Sequence, residues 1–240
     1  MQLPFFFEEI LPVSDEFTLS EESSKHIVQV LRMQESDQLL ITNGKGEVLT
    51  ASVIAADKKK ASVKITGRTF FPPHIAKVSI AVSLIKNKNR FEWLLEKGAE
   101  IGVSEIIPLI CRRTEKQVFK YERMNNILVS AMLQSQQAWL PMLQEPIKLE
   151  EFIKRSSDQH KFIAHCMRGQ KNQLANELSN NYRSQAGGRL ILIGPEGDFT
   201  KDEIEIAIQQ NFIPVSLGET RLRTETAGLV AAVLLLNKFE

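Results

Sequence analysis

Leu190-Ile191-Leu192-Ile193-Gly194-Pro195-Glu196-Gly197-Asp198-Phe199-Thr200 carries an apolar run straight into a glycine-punctuated turn and out through a helix start. Four consecutive apolar residues bounded by turn signals predict a strand buried on both faces. Thr200 with Glu203 three residues later is a capping-box pattern. A buried strand, a tight turn and a helix make the repeating unit of an open α/β sheet, where ligands sit beyond the carboxyl ends of the strands. The two glycines let a ligand approach the backbone closely. Taken alone, Gly-Pro-x-Gly reads more readily as a tight turn with no ligand.

A second turn lies downstream. Ile213–Leu217 predicts another strand, ended by Gly218, and Glu219-Thr220-Arg221-Leu222-Arg223 leads into an apolar helix predicted over Thr224–Lys238. Two arginines and a run of hydroxyls at a helix start suit an anion. The plain alternative has Thr224 capping the helix and both arginines solvated. The helix is apolar on every face, which predicts burial in the core or against a second subunit.

Upstream the same alternation continues. Val78–Ile85, Ile106–Ile110 and Lys161–Cys166 read as strands. Phe91, Leu94, Leu95, Gly98 and Ile101 recur at helical spacing, and Tyr121–Gln137 is a further helix. Lys86, Lys88 and Arg90 crowd the turn after the first of these strands, where they suit phosphates or simply face solvent. Lys97 and Glu100 share a helical face and are expected to pair. His160 and His165 flank a strand and read as structural.

The first 70 or so residues differ. Asp37–Thr42, Glu47–Ala55 and Ala61–Thr66 are β-prone, and Asn43-Gly44-Lys45-Gly46 between the first two is a hairpin turn. Ser23–Leu31, with Ile27, Val30 and Leu31, suits a short helix. Phe70-Phe71-Pro72-Pro73-His74 marks a boundary, because two prolines stop regular structure. The expected division is a small β domain over 1–72 and an α/β domain over 73–240.

Composition excludes several classes. The chain has 240 residues, 43% hydrophobic and 25% charged, as soluble globular proteins do. The net charge of +1 gives no bulk attraction to nucleic acid, so any such affinity needs a local patch. Two distant cysteines, Cys111 and Cys166, read as free thiols in a reducing compartment. The start lacks a signal peptide, and the longest apolar run is too short to span a bilayer, so a cytoplasmic protein is expected. No dinucleotide fingerprint, P-loop, nucleophile elbow or metal-spaced histidine motif occurs, and no metal is expected.

Four segments together resemble the RsmE family of methyltransferases. These are His26 with Val30-Leu31-Arg32; Lys86, Arg90, Lys97 and Glu100-Ile101-Gly102-Val103; Ile193–Phe199; and Leu217-Gly218 with Leu222–Ala227. The resemblance covers nearly the whole chain. It departs at Ser36-Asp37, where the family often has Gly-Asp, and at Gln136-Gln137, where it often has Gly-Arg. An arginine that follows the Leu-Gly pair in the family is here Thr220, with Arg221 beside it.

The resemblance implies a C-terminal SPOUT-type domain with a deep trefoil knot and an N-terminal PUA-like β-barrel. It implies transfer of a methyl group from S-adenosylmethionine to N3 of a uridine in 16S ribosomal RNA, within the small ribosomal subunit, by a homodimer. The donor would lie against Ile193, Gly194, Pro195, Glu196, Gly197, Leu217, Gly218, Leu222, Arg223 and Thr224. Arg223, a permanent cation, is the catalytic candidate. Glu196 and Glu225 are candidate proton acceptors, with a structural role the better reading for both. Arg32, Lys45, Lys86 and Arg90 are the RNA-contact candidates, and the run Lys58–Lys60 reads better as solvated surface. Rival readings are a knotted methyltransferase acting on transfer RNA or another ribosomal position, a non-catalytic RNA-binding protein, and a small-molecule α/β enzyme.

Overall fold

The computed structural model describes residues 3–73, 76–181 and 187–237. His74, in the expected boundary segment, and Lys238, at the expected end of the last helix, lie outside the described residues. The chain separates into two compact units, one of residues 1–73 with 129–140 and one of 74–128 with 141–240. Residues 129–140 join the first unit although no periodicity marks them for it.

In the first unit, β1 (Phe5–Phe7), β2 (Glu16–Thr18), β3 (Gln38–Thr42), β4 (Glu47–Ala55) and β5 (Ser62–Phe70) form one sheet in the order β1-β3-β4-β5-β2. β1 runs parallel to β3 and the other pairs are antiparallel. Register shifts between Thr50 and Ala51 and between Val53 and Ala55 curve β4. Leu39, Ile41, Leu49, Ala51 and Val63 fill the core, each fully buried. The β3–β4 turn holds Gly44 at φ 68° and Gly46 at φ 90°, values that explain its glycines.

The helix expected over 23–31 changes character halfway. Helix α1 (Glu21–Lys25) starts at Ser20, whose hydroxyl accepts from the Ser23 amide. It then widens into a π-turn over His26–Val30, closed by Leu31 N–H to the His26 carbonyl at 3.0 Å. The wider turn breaks the i, i+3, i+4 face. Ile27 is buried, while Val30 is 67% exposed.

The second unit is an eight-stranded sheet of β6 (Val78–Ser83), β7 (Glu105–Ile110), β8 (Met142–Leu143), β9 (Ile147–Lys148), β10 (His160–Ala164), β11 (Asn172–Gln173), β12 (Arg189–Ile193) and β13 (Ile213–Ser216). The order is β11-β13-β10-β12-β6-β7-β8, with β9 also beside β7, and every pair is parallel. β6 and β12 are buried at every position, as the uninterrupted apolar runs predict. Pro108 lies inside β7, where a missing N–H would normally break the ladder. The edge partner is itself split there: β8 pairs with Glu105 and Ile106, β9 with Leu109 and Ile110.

Helices α2 (Lys88–Glu100), α3 (Tyr121–Gln134), α4 (Leu149–Arg155), α5 (Leu174–Asn181), α6 (Lys201–Gln209) and α7 (Thr224–Leu236) connect these strands. Leu149, Ile153, Phe199, Ile204, Ala207 and Phe212 pack against Ile107, Leu109, Ile163, Leu190 and Leu192 on one face of the sheet. Lys97 pairs with Glu100 at 2.6 Å. α7 is buried along a single stripe, Thr224, Glu225, Gly228, Ala231, Ala232 and Leu235, so burial is one-sided although the sequence is apolar all round. Among the described residues no helix is long and apolar enough to cross a membrane. The mixed α/β fold class is the one expected from the sequence.

Candidate active site

Three loop segments lie beyond the carboxyl ends of the parallel strands β12 and β13, which flank β10. The first, after β12, is Gly194–Thr200. Thr200 closes it with the expected capping box: its hydroxyl accepts from Glu203 N–H, and the Glu203 carboxylate accepts from Thr200 N–H at 2.7 Å. Gly194 is tight from within, since a Cβ there would stand 3.1 Å from the Phe199 nitrogen. The second loop, after β13, turns on Gly218 at φ 139°. The third is Leu222–Thr224, entering α7. Thr224 does not cap that helix, whose N-cap is Arg223 with no side-chain bond. The Thr224 hydroxyl instead donates to the Gly194 carbonyl at 3.1 Å and ties the third loop to the first.

These loops enclose one cavity of about 450 Å³, in the range of small-molecule sites. Ile193, Gly194, Pro195, Glu196, Leu217, Gly218, Leu222 and Thr224 line it, eight of the ten residues proposed for the donor. Gly197 and Arg223 are not among its lining residues. Gly197 backs onto Arg113, which donates to its carbonyl at 2.7 Å, and Arg223 is exposed at the start of α7.

The cavity also takes residues that the sequence did not assign to it. Ala164 at the end of β10, with His165, Cys166 and Lys171 after it, forms a further wall, and Asp198 and Thr220 join the lining. Their signal was present but weak: β10 neighbours β12 in the sheet, so its carboxyl end opens on the same side. Burial lowers the pKa of His165, and the Lys171 ammonium lowers it further against the opposing charge of Asp198.

The remaining candidates are dispersed. Glu196 accepts from the Lys86 amide at 3.1 Å, and Arg221 donates to the Glu196 carbonyl at 3.4 Å. The Lys86 side chain pairs with Glu115 at 2.6 Å, a contact that raises its pKa. Arg90 lies 3.6 Å from the carboxylate of Glu225, which is 7% exposed. Arg32, at φ 54°, and Lys45 are exposed on the first unit. Among the described residues no cluster of side chains suits a metal ion.

The cavity suits an adenosyl donor on local grounds. At Gly218 the space a side chain would take is open, with no atom within 4 Å of an ideal Cβ. Gly194 and Gly218 in the wall let a purine edge approach backbone amides and carbonyls closely.

Comparison with known proteins agrees with this geometry. An RNA methyltransferase domain model matches residues 72–236, and an RNA methyltransferase PUA domain model matches 19–66. A ribosomal RNA small subunit methyltransferase E from Bacillus subtilis is 30% identical over 224 residues, covering 90% of this chain and 87% of the relative. A probable rRNA-methyltransferase from Porphyromonas gingivalis superposes with a TM-score of 0.87 at 37% identity, covering 97% of both chains. A ribosomal RNA small subunit methyltransferase E from Neisseria gonorrhoeae, crystallised with S-adenosyl methionine, superposes with a TM-score of 0.86 at 26% identity, covering 98% of this chain and 97% of that one. With glycine loops converging at the strand ends and both domain models matched in order, the chain belongs to the ribosomal RNA small subunit methyltransferase E family.

Proposed function

We propose that the protein methylates N3 of a uridine in 16S ribosomal RNA, within the small ribosomal subunit, using S-adenosylmethionine. The observation that carries the reading is the convergence of Ile193–Glu196, Leu217-Gly218, Leu222 and Thr224 on one cavity at the strand ends. The donor, when bound, supplies a methyl group already activated on a sulfonium. What remains for the protein is to position the acceptor and deal with its proton.

Uracil N3 carries a weakly acidic imide proton whose loss spreads negative charge onto O2 and O4. A fixed cation aimed at those oxygens favours the nucleophilic anion. Arg223 is that cation: it is exposed, it precedes the first turn of α7, and the helix dipole adds to its field. Glu196 and Glu225 are engaged by Lys86 N–H and Arg90. Both carboxylates act structurally, and the imide proton leaves to solvent.

Arg32 and Lys45 on the first unit meet RNA phosphates, so affinity falls steeply with salt. Lys86 and Arg90, each with an acidic partner, contribute to RNA contact less. The protein works in the cytoplasm as a homodimer. Trp93 on α2 and Val233 on α7, 40% and 44% exposed, supply apolar surface for the second copy.

The test supplies labelled S-adenosylmethionine with unmodified small subunits or free 16S RNA and identifies the product nucleoside by mass spectrometry. The reading requires 3-methyluridine. A different modified nucleoside would overturn it, as would a protein that binds the RNA and transfers nothing.

A further inference from the structure

The wall after β10 is held from two sides. Lys171 Nζ donates to the carbonyls of His165 and Met167, both at 2.7 Å, and folds the segment onto itself. Cys166 N–H donates to Asp198 Oδ2 at 2.8 Å, across to the loop that follows β12. The other carboxylate oxygen of Asp198 accepts from Phe199 N–H, also at 2.8 Å. One side chain thus fixes two walls of one cavity. It does so from φ 65°, a left-handed conformation that glycine adopts freely and that aspartate adopts at some cost, eased by local hydrogen bonds of its side chain. A non-glycine residue kept there with both carboxylate oxygens bonded indicates that its side chain is used.

We propose that Asp198 is a positioning residue of the donor site, its carboxylate bridging the Gly194–Thr200 loop to the His165–Lys171 wall and so setting the width of the cavity. The proposal rests on the reading of this cavity as the donor site. The bridge acts on donor affinity, through the shape of a preformed site, and not on the methyl transfer itself. It also predicts that the Cys166 amide is protected from solvent although its side chain is exposed.

Two variants separate the bridge from the fold. Asp198→Gly removes the carboxylate and relieves the left-handed strain, so its melting temperature stays at or above that of the wild type. Its dissociation constant and KM for S-adenosylmethionine rise by about tenfold or more, with the loss in KM exceeding that in kcat. Hydrogen exchange at Cys166 accelerates. Asp198→Asn tolerates the same backbone and keeps an oxygen acceptor, so it recovers part of the affinity lost in Asp198→Gly. Calorimetric titration of the full-length protein with S-adenosylmethionine reads these values. Unchanged donor affinity in Asp198→Gly overturns the proposal. So does an Asp198→Asn protein as weak as Asp198→Gly, because charge rather than the bridge would then be at work. A wild-type protein that takes up no S-adenosylmethionine is a different failure: it removes the donor-site reading on which the bridge depends.

Discussion

Arg223 is the proposed catalytic cation, and its surroundings make that proposal testable. It is exposed, it makes no capping bond, and it is not needed to build the cavity. Arg223→Ala should therefore leave the melting temperature unchanged and lower kcat by about a hundredfold or more, the scale for removing one fixed group from a developing anion. A variant that methylates and binds donor like the wild type would remove Arg223 from the mechanism. The two thiols give a second test at this scale. Burial, with Glu203 adding to it, pushes the Cys111 thiol up to about 12, while Cys166 is exposed and lines the cavity. Iodoacetamide at mildly alkaline pH should label Cys166 and spare Cys111, since only the thiolate reacts. S-adenosylmethionine should slow the labelling, and peptide mass spectrometry reads both. Neither the pairing of Thr224 with Gly194 nor the bridge at Asp198 was legible in the sequence, because both join residues far apart along the chain. The motif placed Thr224 at the site, but only the fold shows what its hydroxyl does.

At the scale of elements, the longer strands and helices of the α/β unit were legible from apolar runs and helical spacing, whereas the two-residue strands β8, β9 and β11 and the short helices α4 and α5 were not. The departures have local causes. The π-turn at His26–Val30 is a change of winding, to which a 3.6-residue pattern is blind. Two places where the chain departs from its family's glycines adopt left-handed backbone: Ser36 at φ 75° and Gln136 at φ 55°. At each, the turn takes a conformation that glycine would suit better. Ser36→Gly and Gln136→Gly should each stabilise the protein by about 0.5–1 kcal/mol, the relief of left-handed strain less the added freedom of the unfolded chain. Urea midpoints with unchanged slope would show it. Helix α2 offers the converse. A Cβ at Gly98 would meet Ile106 Cδ1 at an ordinary 3.4 Å, beside a small void, whereas one at Gly228 in α7 would press Leu94 at 3.1 Å. Gly98→Ala should add up to about 1 kcal/mol from helix propensity, and Gly228→Ala should be the less stable of the two. The reverse order would mean that Leu94 yields easily and α7 is loosely packed.

At the scale of the whole molecule, Pro72-Pro73 marks a boundary legible in the sequence, but nothing there hints that the first unit includes residues from much later in the chain. Their contribution is backbone pairing, which leaves no periodic signature. Gly46 N–H donates to the Ala138 carbonyl at 2.9 Å, Leu140 N–H to the Gly44 carbonyl at 2.8 Å, and the Trp139 indole to the Phe71 carbonyl at 2.9 Å. The Trp139 ring also lies so close to Gly46 that a Cβ there would stand 2.6 Å from it. The hairpin that carries Lys45 is thus shaped by Trp139 as much as by its own glycines. A fragment ending at residue 73 loses these three bonds and leaves the Gly46 amide and the Gly44 and Phe71 carbonyls without these partners. At about 1 kcal/mol for each hydrogen bond, with the indole packing in addition, that loss is a large share of the stability of so small a unit. The fragment should melt at markedly lower temperature than the same unit within the full chain, with poorly dispersed amide resonances for residues 43–47. Adding a peptide of residues 129–140 in excess should raise its melting point by mass action. A fragment that is fully folded and indifferent to the peptide would show that the early strands form a self-sufficient barrel and that the later segment merely rests upon it.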